Sequence, residues 1–554
     1  MLNRLLQDFK EGARSGLHAL AGRFLNSSAS TVNARLEAAA AQHRAGDLAA
    51  ARSAYLAILE TDSGNVDALQ LLGLVAHQQE RHDEAVMLIT QAIALQPNVA
   101  AYHVNCGLAH MARGEAKLAI ECYVKAVQLD PLDARAHSIL LFALVFGEGF
   151  KPADVLAEHR RWQKRHANFP PLPHPNGRDP ARRLRIGYVS PDFKNHVIGF
   201  FVEPFLAHHD RAAFEIFCYD NADQRDDVTE RCKGYAAHWR EIDRLDDDAV
   251  AAMIRDDRID VLIDLAGHTR GGRLGVFARK PAPVQMTYLG YPMTSGLDSM
   301  DYRVSDRFCD PPGMTEAHYC ETLLRLPASL VCYRPPDDMP EVNPLPAIAN
   351  GYVTFGSFNV PAKICGPVVE LWARLLKRVE HSKLLLAPIP PGMARSRIAD
   401  MFADQGIGPE RLQFEPRMAT VAYQALRHQV DIALDTFPCG GGSTTCETLY
   451  MGVPLVTLAG PTFAARVGTS VLSSLGLPEL VAQTFDEYLA IAANLAQERD
   501  RLVALRRNLR TSMRQSPLAD GPRLARELEA LYRDAFAKWC VAPASANHPA
   551  TLPD

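Results

Sequence analysis

Aligned against itself, the chain repeats with a period of 34 residues in its N-terminal third, and this period limits what the region can become. Gly73 is followed by Gly107, Ala85 by Ala119, Ile89 by Tyr123, Ala92 by Ala126 and Pro97 by Pro131. One period earlier stand Ala39, Ala51, Tyr55 and Ile58, with Ser63 where the proline would be. A unit this short cannot bury an apolar face alone, so it must stack on its neighbours. The residue types suit a helix–turn–helix unit. Small residues (Ala39, Gly73, Gly107) lie where one helix must approach the next, and Ala51, Ala85 and Ala119 do the same on the second helix. Tyr55, Ile89 and Tyr123 fill the space between, and proline closes the unit because it cannot continue a helix.

This pattern resembles the tetratricopeptide repeat over roughly residues 32–135. The spacing decays after that, with Leu141 and Ala157 in the small and aromatic slots, so 136–166 reads as a capping helical pair. Residues 32–167 are therefore expected to form an α-solenoid with a concave groove for acceptor proteins or extended peptides. Before it, 1–31 breaks its apolar residues with charges at helical spacing, which suits an amphipathic helix rather than a secretion signal.

At 554 residues the chain exceeds one core, and about 150 residues per domain suggests three or four units. Its 59 Lys+Arg against 64 Asp+Glu leave a net charge of −5, which supplies no basic field for nucleic acid. The longest apolar run, Ile139 to Phe146, is far short of the roughly 20 residues of a membrane span. The 11 cysteines are scattered, with no CxxC pair, which argues against a disulfide framework or zinc ribbon and for a reducing, cytoplasmic setting.

Five prolines between Asn168 and Pro180 mark a stiff connector, 168–181. Beyond it, strand-like runs alternate with helical ones: Leu184–Ser190, Val197–His208 (helix), Phe214–Tyr219, Ile259–Leu265 and Val284–Leu289. The alternation restarts near Gly351, with strands at 352–358, 384–387, 412–414, 430–434 and 453–458. A long charged helix, 485–510, and another near 523–538 follow. Strands apolar on both faces argue for parallel sheets covered by helices. Two Rossmann-like halves, 182–345 and 346–542, are expected to enclose a ligand crevice at their strand C-termini, and 543–554 reads as a disordered tail.

Three loops at that edge carry candidate chemistry. In Asp435-Thr-Phe-Pro-Cys-Gly440-Gly-Gly-Ser443-Thr444-Thr445, a strand ends, a triple glycine turns the chain and hydroxyl residues open a helix. Such a turn bares backbone N–H groups for an anion such as a diphosphate, or it is simply a flexible turn with Ser443 as helix cap. Lys363, after the strand ending in Phe-Gly-Ser-Phe-Asn359, either neutralises a departing phosphate or is a solvated surface lysine. His196, after Ser190-Pro-Asp192-Phe-Lys-Asn, and His268, in Asp264-Leu-Ala-Gly-His268, either exchange protons with a substrate or are structural. The chain has no Gly-Lys dipeptide, GxGxxG, HExxH or GxSxG, so Walker NTPases, dinucleotide dehydrogenases, zincins and α/β-hydrolases are disfavoured. Asp246-Asp247-Asp248 reads as a solvated helix start rather than a metal site.

Repeats followed by RLRIGYVSPDFKNH, DLAGHTRGGR, FARKPAPVQMTYLGYPMTSG, FGSFNVPAK and DIALDTFPCGGGSTTCETLYMGVPLVTL together resemble a bacterial homologue of the O-linked N-acetylglucosamine transferases and their SPINDLY-type relatives. The resemblance runs from about residue 32 to about 535. It implies a glycosyltransferase B fold and metal-independent, inverting transfer of N-acetylglucosamine from UDP-GlcNAc to Ser/Thr hydroxyls of proteins, with no cofactor. Residue by residue, it puts His196 on the family's active-site histidine, as base or positioning group, and Lys363 on the lysine that contacts the diphosphate. Ser443, Thr444 and Thr445 fall in the phosphate loop, Glu447 on the acidic residue for the ribose hydroxyls, and Tyr423 where a histidine stacks on uracil. There are departures. Gly442-Ser443 replaces a bulkier turn near the sugar, Val360 replaces a glutamine, and Ala252 aligns with an acidic residue proposed as base. These leave open another donor (GDP-fucose or UDP-glucose), or a protein-binding scaffold with weak or no activity.

Overall fold

The computed structural model describes residues 31–170 and 172–542; the expected helix of 1–31, apart from Thr31, and the tail of 543–554 lie outside the described residues. Eight antiparallel helices build the N-terminal array: α1 (Thr31–Arg44), α2 (Leu48–Thr61), α3 (Val66–Gln78), α4 (His82–Leu95), α5 (Ala100–Ala112), α6 (Ala116–Leu129), α7 (Ala134–Ala143) and α8 (Pro152–His166). The 34-residue pattern is visible in the packing. A Cβ on Gly73 would stand 2.6 Å from Ile89, and one on Gly107 would stand 2.5 Å from the Tyr123 ring. The glycine of one helix thus makes room for the large residue of the next, and Tyr55, Ile89 and Tyr123 are all fully buried. Asp47, Asn65 and Asp133 cap α2, α3 and α7 by accepting backbone N–H groups.

The connector is laid down rather than free. Asn176 donates to the Arg258 and Ile259 carbonyls, both at 3.1 Å, and Arg178 reaches Ala542 O at 2.7 Å.

Two all-parallel sheets follow. The first orders its strands β3-β2-β1-β4-β5-β6-β7, from β1 (Leu184–Ser190), β2 (Phe214–Asp220), β3 (His238–Glu241), β4 (Val261–Asp264), β5 (Val284–Thr287), β6 (Tyr302–Asp306) and β7 (Thr322–Leu326). The second orders β10-β9-β8-β11-β12-β13, from β8 (Thr354–Ser357), β9 (Lys383–Leu386), β10 (Leu412–Phe414), β11 (Ile432–Leu434), β12 (Leu455–Leu458) and β13 (Val481–Ala482). Each sheet reverses its winding once, between β1 and β4 and between β8 and β11, and the loops leaving such points bind ligands. The two-sheet arrangement fits a glycosyltransferase B fold.

Two readings of the sequence are corrected here. The helix placed over 485–510 is two helices, Phe485–Gln497 and Arg499–Arg514. Glu498 leaves the helical region (φ −91°, ψ 66°), and its N–H turns back to Leu495 O. The last helix, Gly521–Val541, follows the second half in sequence but packs on the first half. Its Tyr532 hydroxyl lies 3.0 Å from that of Tyr188 on β1, and Glu529 holds His209 at 2.9 Å.

Candidate active site

The loops after β1, β8 and β11 meet at a cleft of about 350 Å³ between the two sheets. His196, Lys363, Tyr423, Ser443, Thr444 and Glu447 all line it.

The floor is the glycine turn after β11. The buried Asp435 carboxylate accepts the N–H of Gly441 at 2.7 Å and of Thr436 at 3.0 Å, and the Thr457 hydroxyl at 2.8 Å. Burial raises its pKa from the usual carboxylate range; the Gly441 N–H, the Thr457 hydroxyl and the Lys363 charge oppose that. A Cβ on Gly441 would stand 2.6 Å from the Thr445 hydroxyl and 2.7 Å from that of Thr444, whereas Gly442 borders open space. The Ser443–Tyr450 helix starts without a side-chain cap, so the Ser443-cap reading does not hold. Its ladder begins with the Thr445 and Cys446 N–H groups on Gly442 O, at 3.2 and 3.3 Å. The amides of Ser443 and Thr444 precede that ladder and, with the helix dipole, form an anion seat. The Thr445 side chain is buried against Gly441, and its N–H is committed to Gly442 O.

Lys363 is not a solvated lysine. It is 7% exposed, at the end of the short turn Pro361–Lys363 after β8, and its ammonium donates to Gly440 O and, at 3.3 Å, to Asn359 Oδ1. The positive charge therefore sits directly against the glycine turn. The repeat array backs the Pro361–Lys363 turn: a Cβ on Gly114 would stand 2.8 Å from Pro361 O.

Glu447 has one oxygen already engaged. Arg427, wholly buried, donates to Glu447 Oε2 at 2.8 Å and to the Thr448 hydroxyl at 3.2 Å. The guanidinium is stacked against Phe358, 4.3 Å to the ring centroid, and Tyr423, 5.0 Å away. Tyr423 donates its hydroxyl to Phe358 O at 3.0 Å, which fixes the ring at the cleft wall. Sequence reasoning misses Arg427. The one local signal is its i, i+4 spacing from Tyr423, and its carboxylate partner lies on another element.

His196 caps the Val197–Leu206 helix, its Nδ1 accepting the Ile198 N–H at 3.3 Å, and the same atom lies 3.4 Å from Asp192 Oδ1. These two neighbours ask for opposite protonation of Nδ1. Bonding to Ile198 puts the proton on Nε2, while donation to Asp192 leaves Nε2 as an acceptor. His268 does not join the cleft. It lies in a second cavity between the repeats and the first sheet, bonded to Ser295 O at 2.8 Å and Ser138 at 3.1 Å, and burial pushes its pKa well below the usual value. Ala252 is exposed on the Asp247–Asp256 helix, away from the cleft lining.

Two doubly wound sheets, with a glycine turn and a lysine at one switch point and a histidine at the other, have the architecture of a two-sheet glycosyltransferase. The chain belongs to glycosyl transferase family 41, whose profile it matches over residues 164–333 and 345–528. Residues 66–99 and 100–131 match the tetratricopeptide repeat. It is 39% identical over 437 residues to a probable UDP-N-acetylglucosamine–peptide N-acetylglucosaminyltransferase SPINDLY of Oryza sativa subsp. japonica, covering 77% of this chain and 47% of the relative. It is 34% identical over 392 residues to the probable SEC enzyme of Arabidopsis thaliana, covering 67% of this chain and 39% of the relative. The chain thus spans about half the length, or less, of these curated relatives. Among solved structures, a mutant of Thermobaculum terrenum O-GlcNAc transferase superposes with a TM-score of 0.85 at 35% identity, covering 93% of this chain and 99% of the other. Among the described residues no helix is long and apolar enough to cross a membrane.

Proposed function

We infer that the chain transfers N-acetylglucosamine from UDP-N-acetylglucosamine to serine or threonine hydroxyls of proteins. The observation that carries this reading is the contact of the Lys363 ammonium with Gly440 O, beside the open amides of Ser443 and Thr444. Negative charge develops on the departing diphosphate, and these groups stabilise charge at that point. The acceptor oxygen bonds to the anomeric carbon as the bond from that carbon to the phosphate oxygen breaks. UDP leaves with the electron pair, and attack from the opposite face inverts the anomeric centre. His196 would take the hydroxyl proton or position the acceptor, and Asp192, 3.4 Å from its Nδ1, would stabilise the protonated ring. Glu447, steadied by Arg427, would take the ribose hydroxyls, and Tyr423 would stack on the base.

Metal-independence is part of the reading. Its support is that an ammonium, two amides and a helix start supply the charge stabilisation that a divalent ion otherwise would. The acceptor polypeptide would enter along the repeats. The cavity of about 790 Å³ between the array and the first sheet is lined by α5–α8 residues and shares Phe142 with the cleft. A cytoplasmic setting is supported by the 11 cysteines, all free thiols.

Calorimetric titration with UDP, GDP and UDP-N-acetylglucosamine, with a Lys363 variant alongside, tests the donor. Binding of the UDP compounds alone, weakened in the variant, is expected. Preference for GDP would point to GDP-fucose, and no nucleotide binding would leave the scaffold reading. Mass spectrometry of proteins co-expressed with the wild type and with His196→Ala reads the acceptor side, and neither magnesium(II) nor manganese(II) should raise the rate of enzyme stripped with chelator.

A further inference from the structure

Cys106 and His110 stand four residues apart on α5 and so share one face of that helix. Cys122 reaches the same point from α6, the helix packed against it. One ligand atom from each of the three lies within 4.8 Å of the others, the one such group of three among the described residues. Cys106 is buried, and the other two are half-buried. His110 uses Nδ1 to bond Glu115 Oε2 at 2.6 Å, which leaves Nε2 as the nitrogen available to a metal, and Glu115 is steadied in turn by Arg113 at 2.8 Å.

An imidazole whose outer nitrogen is held by a carboxylate, facing two thiols, is the arrangement by which proteins orient a histidine on a metal ion.

We propose that Cys106, His110 and Cys122 form a binding site for one soft metal cation of the zinc(II) or copper(I) class, within the repeat built from α5 and α6 and separate from the transfer cleft. Two sulfurs and one nitrogen satisfy trigonal copper(I), or three of the four positions of zinc(II) with water as the fourth. The cation would tie α5 to α6 and fix the 113–115 turn. That turn backs the Pro361–Lys363 segment through Gly114, and Arg113 lies 3.4 Å from Asp83, which accepts the Met393 N–H of the second half at 3.0 Å. The cation would therefore stiffen the seat of the site's lysine without touching substrate.

The test uses the full chain, reduced and stripped with chelator, then offered zinc(II) or copper(I) alone and passed through gel filtration. Retention of about one equivalent of either ion is expected, with cobalt(II) giving sulfur-to-metal charge-transfer absorption. Cys122→Ser and His110→Gln should lose retention, and Cys540→Ser should keep it. Glu115→Gln should weaken affinity by about 10- to 100-fold. That last variant alters a group outside the core, so it reports even if a cysteine variant fails to fold. No retained metal in the wild type, or equal retention in Cys122→Ser, would overturn the proposal. So would a Cys106–Cys122 disulfide forming in place of metal uptake.

Discussion

Arg427 holds Glu447 at 2.8 Å while its guanidinium lies against the rings of both Phe358 and Tyr423, so one buried cation organises three residues of the cleft wall. Removing one partner of such a pair leaves the other charge without its counterion, at a typical cost of about 3–5 kcal/mol. Arg427→Met should therefore lower stability by an amount near that range in urea unfolding and abolish nucleotide binding by calorimetry. Arg427→Lys keeps the charge but loses the planar stack and the second donor to Thr448, and should recover part of the stability but little of the binding. Full binding by the lysine variant would show that charge alone suffices.

Lys363 makes its contacts with Gly440 and Asn359 at the rim of the cleft, not in a core cluster. Lys363→Ala should lower kcat by about 100- to 1,000-fold, the usual consequence of losing one donor to developing charge. The unfolding midpoint should move little. A turnover near wild type would remove the leaving-group role from the proposed chemistry.

What was legible in the sequence was local. Gly107 and Tyr123 announce their contact because the repeat places a small and a large residue at fixed offsets, and the packing follows. The turn after β11 was legible as a strand-to-helix junction because three glycines break the strand and the hydroxyl residues after them open a helix. The inward turn of Thr445 was not: it depends on the ladder starting at Gly442 and on the space beneath Gly441. Arg427 was hidden because its meaning lies in Glu447 and Phe358, which are remote in the chain. The edge strands β3 and β7 escaped notice because both are only partly buried and carry charged residues, which blurs the apolar run. The placement of Gly521–Val541 on the first half rests on Tyr188, His209 and Arg533 contacts that no periodicity encodes.

Two glycines of the turn, Gly441 and Gly442, should respond differently to one added methyl. Gly441→Ala places a Cβ within 2.7 Å of the Thr444 and Thr445 hydroxyls, which forces both hydroxyls to rotate away or the helix start to move. It should weaken UDP binding by at least about tenfold, equal to about 1.4 kcal/mol. Gly442→Ala meets nothing within 4 Å and should change unfolding stability by less than about 0.5 kcal/mol. Its methyl points into free cleft space, so any change should appear in the KM for the donor. Equal effects of the two substitutions on stability would contradict this account of the turn.

Acid should loosen the joint between the repeats and the first sheet before the carboxylates titrate. His159 on α8 has its Nδ1–H on Val155 O at 2.7 Å, and its Nε2 accepts the Tyr291 hydroxyl at 2.8 Å. The neutral ring is therefore satisfied on both sides, and burial depresses its pKa from 6.5 to about 4. A histidine depressed in the folded state contributes stability that is fully present above the unfolded value, near 6.5, and is lost as pH falls toward about 4. That interval corresponds to about 3 kcal/mol for this one ring. His166, also lowered to about 4 chiefly by burial, adds to the same slope. Unfolding free energy measured from pH 7 to pH 4 should fall with net proton uptake, and His159→Gln, with no titrating group, should flatten the curve by close to one proton. An unchanged slope in that variant would mean that the ring is already charged in the folded chain and that the Tyr291 bond does not set its state.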